Sequence, residues 1–101
     1  MMAKRKIKLI PFDASEFLDD AESQADLLSD ALESGKASYV ARALGTIARA
    51  RGMTEVQRLT GLDRSTLYAA LREEGNPTLD TMMRVLDALR IELRAAPKQA
   101  A

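Results

Sequence analysis

A chain of 101 residues, 47% of them apolar, can build one modest core but not two, so a single domain is expected. Its 15 basic and 15 acidic residues cancel, and it contains neither cysteine nor histidine. Disulfides, thiolate chemistry and the commonest metal ligand and general base are therefore excluded, which puts enzymatic readings behind binding ones and implies no cofactor. No apolar run approaches the roughly 18 residues of a membrane span. The start MMAKRKIKLIP lacks the long apolar stretch and small-residue cleavage site of a secretory signal, so no membrane association and a cytoplasmic protein are expected.

The balanced charge is unevenly placed. Residues 1–12 read as a basic extended arm, with Lys4, Arg5, Lys6 and Lys8 and no carboxylate. Residues 13–35 read as an acidic helical front module, in which Asp13, Glu16, Asp19, Asp20, Glu22, Asp26, Asp30 and Glu33 occur without one Lys or Arg. Beyond residue 33 there are eleven basic and seven acidic residues, divided between a core over residues 38–89 and a strand and tail over 90–101.

In chain order, Lys6 to Ile10 alternates basic and apolar residues before Pro11, as a short strand or extended arm does. Asp13 and Glu16 have capping-box spacing, with Phe12 and Phe17 flanking them as a hydrophobic staple, which predicts a helix from Ala14 to about Asp20. A second helix is predicted from about Glu22 to Ser34. Leu27, Leu28, Ala31 and Leu32 form its apolar stripe and Gly35 closes it. A third is expected from a Ser38 cap through Arg51, with Val40, Leu44, Ile47 and Ala48 inward and Arg42, Arg49 and Arg51 outward.

Met53 to Arg72 then has the spacing of a helix-turn-helix. Val56 and Leu59 give the first helix an apolar side, Gly61 makes the turn, Leu62 plugs the angle and Asp63 caps the second helix. Leu67, Ala70 and Leu71 face inward there, leaving Arg64, Ser65, Thr66, Tyr68, Ala69 and Arg72 as the candidate DNA-reading face. The N-terminal end of such a helix meets base edges, where Arg can bond guanine bidentately and Ser can bond several bases; Arg72 is better placed for a phosphate. The competing reading is that these arginines are ordinary solvated residues.

After the turn at Glu74-Gly75-Asn76-Pro77, Thr78 is expected to cap a helix whose apolar face is Leu79, Met82, Met83, Leu86 and Leu89. Leu89, Ile91, Leu93 and Ala95 alternate with Arg90, Glu92 and Arg94, which predicts a closing strand. The expected fold class is mainly α: a compact domain of five to six helices with short terminal extended segments.

Several stretches also carry a family resemblance: Ala43-Leu44-Gly45, Ile47 to Met53, Gly61-Leu62, Ser65, Leu67-Tyr68, Ala70-Leu71, Gly75-Asn76-Pro77 and Val85-Leu86 with Ala88-Leu89. Together with Phe12-Asp13, Glu16 and Leu18, they resemble the addiction-module antidote proteins of the Xre-type helix-turn-helix superfamily, over nearly the whole chain. The resemblance implies a lambda-repressor-like domain and an antitoxin that neutralises a RelE/ParE-like (HigB-type) toxin encoded beside it and represses their shared operon. Three positions depart from the pattern. Gln57 stands where alanine or glycine usually lets the second helix pass, Thr60 replaces a more apolar residue, and Arg90 stands where glycine commonly ends the last helix.

Three function classes compete on these residues: a DNA binder that also masks a toxin, a plain Xre-type repressor, and a protein-interaction module with a non-DNA-binding helix-turn-helix. The first is preferred, since the second needs no acidic module and the third leaves Arg64, Ser65 and Arg72 without a task. It implies a double-stranded DNA operator, a homodimer paired through the tail, and a toxin held by Asp19, Asp20, Asp26 and Asp30.

Overall fold

The computed structural model describes residues 20–72 and 74–99. The expected strand at Lys6 to Ile10 and the expected helix from Ala14 lie outside them. Five helices are present: α1 (Ala21–Glu33), α2 (Ala37–Arg51), α3 (Met53–Thr60), α4 (Arg64–Leu71) and α5 (Leu79–Leu89). No strand occurs among the described residues, and none of their helices is long and apolar enough to cross a membrane.

The centre of the fold is α2, which packs against each of the other four helices. Its sequence permits this. Seven of its residues are buried, Ala41 and Ala43 to Ala48, and small side chains among them let neighbours approach from several sides. At Gly45 the approach is tight, since a methyl group there would overlap the backbone carbonyl of Leu71 at the end of α4. Leu28 and Ala31 from α1, Val56 from α3, Leu67, Ala70 and Leu71 from α4, and Val85, Leu86 and Leu89 from α5 complete one core around Leu44 and Ile47.

Local chemistry sets most helix ends as the sequence suggests. Thr78 caps α5 by accepting from the Thr81 amide (3.1 Å), and Gly35 follows α1 with φ 73°. Two starts differ. The side chain of Asp20 caps α1, accepting from the Ser23 amide at 2.7 Å. The expected Ser38 cap is wrong: α2 begins at Ala37 with Lys36 at its N-cap and no side-chain cap, and Ser38 lies inside its first turn.

The inward faces also need correcting. Leu59 is 50% exposed, because Val56 and Thr60, one full turn apart, are the α3 residues that point inward. Thr60 satisfies its buried hydroxyl by donating to the Gln57 carbonyl (3.1 Å) and accepting from the Leu62 amide (3.3 Å). On α5 the inward line is Thr81, Val85, Leu86, Ala88 and Leu89, whereas Leu79 and Met83 are 72% and 55% exposed. Arg51, expected outside, turns inward. Its Nε donates to the Oε1 of buried Gln24 (3.1 Å) and its Nη2 to the Leu89 carbonyl (2.5 Å), clasping α1, α2 and α5.

The expected closing strand is not present among the described residues. Arg90 ends α5 in the left-handed region (φ 60°, ψ 41°), the Ile91 amide bonds back to the Leu86 carbonyl (3.0 Å), and residues 92–99 are exposed.

Candidate nucleic-acid interface

Helices α3 and α4 are joined by a three-residue turn, Gly61 to Asp63. Gly61 holds φ 74° and ψ 9°, a left-handed conformation that a side chain would oppose. Leu62, half-buried, packs against the core from the turn, as the sequence implied. Asp63 then starts α4: its carboxylate accepts from the Thr66 amide at 2.7 Å, satisfying one of the amides a helix leaves unpaired at its N-terminus. That bond, and behind it the Thr66 hydroxyl, hold the Asp63 carboxyl below the usual aspartate range.

With Leu67, Ala70 and Leu71 buried, the rest of α4 faces solvent. Arg64, Ser65, Thr66, Tyr68 and Ala69 are exposed along it, and Arg72 is exposed at its C-terminal end. The structure thus places five of the six residues that the sequence nominated on one short helix and the sixth, Arg72, at its C-cap. Arg64 and Tyr68, one turn apart, are in contact: the guanidinium carbon lies 4.7 Å from the ring centroid. Their i,i+4 spacing was the available signal for this pair, though the sequence reading did not use it.

A third cation lies near the other end. The Arg49 guanidinium sits against Gly45, on the side where the Leu71 carbonyl approaches, and its Nη2 donates to the Thr46 hydroxyl (3.3 Å). It is exposed beside the last turn of α4, whose carbonyl end attracts positive charge. On α3, Arg58 is bidentate to Glu55, whose carboxyl that contact lowers, so this arginine is already neutralised by its own helix. Gln57 is half-exposed. A close passage is present at Gly45, against the Leu71 carbonyl at the end of α4.

The acidic residues lie on a separate surface. Glu22, Asp26, Asp30 and Glu33 recur at turn spacing along α1 and are all exposed. Of the four nominated carboxylates, Asp26 and Asp30 belong to this row, Asp20 is engaged as the α1 cap, and Asp19 lies outside the described residues. Beside the row, Leu27 and Ala31 of α1 and Tyr39, Arg42, Ala43 and Thr46 of α2 line a shallow groove with Asp30 at its edge.

A small all-α domain that presents one capped, cationic helix on its surface is the class these features define. The chain belongs to the family described as probable addiction module antidote protein, whose sequence profile matches residues 8–97. It is 38% identical over 87 residues to a protein of Haemophilus influenzae described as uncharacterized, a match covering 86% of this chain and 90% of that one. No solved structure matches the chain.

Proposed function

We propose that the protein is the antitoxin of a type II toxin–antitoxin module, which binds and neutralises a RelE/ParE-like toxin and represses its own operon. The antidote family supplies the antitoxin role and implies a toxin of some kind. Operator reading is assigned to α4, used as the second helix of a helix-turn-helix in the Xre manner. The observation that carries it is the exposed row Arg64, Ser65, Thr66, Tyr68, Ala69 and Arg72 on a helix fixed in place by its cap and its buried face. Arg64 and Ser65 at the N-terminal end face base edges; Arg72, with Arg49 near it, faces phosphates.

The test is binding to the duplex upstream of the protein's own reading frame. Arg64→Ala is expected to weaken it by about 1 to 3 kcal/mol and relax preference at one base, while Arg72→Ala weakens binding to all sequences and lowers the salt slope. Undiminished binding after removal of Arg64, Ser65 and Arg72 together would refute the assignment to α4.

One such helix reads only a few base pairs, so the proposal includes a cytoplasmic homodimer on a pseudo-palindromic operator. The exposed segment over residues 92–99 is assigned to pair across the two-fold axis, which would satisfy its backbone groups. A chain cut after Ile91 keeps that residue's bond to Leu86 and should be a monomer by light scattering. A dimer that persists would move the interface elsewhere.

A further inference from the structure

Among the described residues, cations lie near the two tyrosine rings in three places, and the shortest of these distances is on α4. Lys36 and Arg42 stand 5.4 and 5.8 Å from the Tyr39 ring, whereas the Arg64 guanidinium carbon lies 4.7 Å from that of Tyr68. A tyrosine 41% exposed on a surface helix contributes little to the core, so its use must be sought at the surface. Arg64 is the first residue of α4 and Tyr68 the fifth, which puts the ring one turn behind the arginine, on the same face.

We propose that Tyr68 is a positioning residue: its ring holds the face of the Arg64 guanidinium so that the N–H edge projects from the N-terminal end of α4 toward a pair of coplanar acceptors. This rests on the DNA reading proposed above. Stacking engages the face of the guanidinium and leaves its in-plane N–H groups unused, so the two contacts do not compete. A free arginine must give up rotamer freedom on binding; one already laid on a ring gives up less. Two coplanar acceptors are offered by the guanine edge and by a phosphate. The N-terminal position of Arg64 on α4 selects the guanine edge, since that end of a recognition helix meets the bases.

The probe is a duplex enriched from a randomised DNA library by the wild-type protein, titrated by fluorescence anisotropy against wild type, Tyr68→Phe, Tyr68→Ala, Arg64→Ala and the double alanine variant. Tyr68→Phe should bind within about twofold of wild type. Tyr68→Ala should bind roughly two- to fivefold more weakly, the range of an exposed cation–π pair, and lose preference for guanine at one position. In the Arg64→Ala background, loss of the ring should change nothing further. In the free protein, the Arg64 side-chain protons should show an upfield ring-current shift in NMR spectra, kept in Tyr68→Phe and lost in Tyr68→Ala. Three results overturn the proposal: a phenylalanine variant as weak as the alanine one, an equal alanine effect without Arg64, or no upfield shift. A uniform loss across all sequences overturns the guanine assignment. If wild type enriches no duplex, the DNA reading falls and this inference falls with it; the shift in the free protein still reports the stack separately.

Discussion

Two arginines show how one side-chain type serves opposite ends at the residue scale. Arg51 is half-buried, and its two bonds join the Gln24 side-chain oxygen of α1 to the last carbonyl of α5. Arg90 is strained instead. It alone among the described non-glycine residues holds a positive φ, at 60°, where a Cβ crowds the backbone. Glycine ends many helices in this conformation. Arg90→Gly should therefore stabilise the protein by about 1 kcal/mol, the relief of strain outweighing the added freedom of the unfolded chain. A higher urea midpoint at an unchanged slope would bear this out; a lower midpoint would mean that the Arg90 side chain makes contacts worth more than the strain.

For single helices, the decisive chemistry is at the ends. The Asp63 carboxyl is held below its ordinary value by the Thr66 amide, so the folded state binds its proton less readily than the unfolded chain. The cap's contribution is then complete above the ordinary aspartate value of about 4 and is lost as the pH falls below that, through the lower folded value. An asparagine at this position would cap without titrating. The Asp63→Asn variant should therefore lose less stability than wild type between about pH 5 and pH 2, measured by urea unfolding at each pH. Parallel losses in the two proteins would show that this cap is not a source of acid sensitivity. At the other end of the same helix, Gly45 lets α2 meet the Leu71 carbonyl, so α4 is held at both ends by features of one or two residues. Its exposed face is thereby presented in a fixed orientation, which a reading helix needs.

Across the described residues, the carboxylates of α1 and the arginines around α4 lie on different helices. The carboxylates of α1 line one helix, while Arg64, Arg72 and Arg49 gather around α4. The two surfaces suit partners of opposite sign, and we assign the toxin to the α1 row on that ground. Asp26→Asn with Asp30→Asn should slow association with the purified toxin roughly tenfold at low salt, the difference fading at high salt. Asp20 is left alone in this test because it caps α1. Unchanged association at low salt would make the row ordinary solvated surface and place the toxin elsewhere.

How much of this was legible in the sequence follows the range of the forces involved. The caps at Asp63 and Thr78, the turn at Gly61 and the six exposed residues of α4 depend on neighbours within a turn of helix, and spacing alone revealed them. The family, too, was readable in runs such as Ala43 to Gly45 and Gly75 to Pro77, and residues 8–97 match its profile. Periodicity marks an apolar stripe but not which edge of it meets another helix. Leu59, Leu79 and Met83 therefore looked internal, yet they face solvent once α2 occupies the centre. The same cause hid the inward turn of Arg51, whose partners Gln24 and Leu89 are 27 and 38 residues away in the chain. The sequence by itself determined the caps of α4 and α5, the turn between α3 and α4 and which residues α4 exposes, because those interactions are local. Only the tertiary structure decided that α2 is the hub, that the Leu71 carbonyl meets α2 at Gly45, and that Arg51 is a clasp, because each depends on surfaces brought together by the fold.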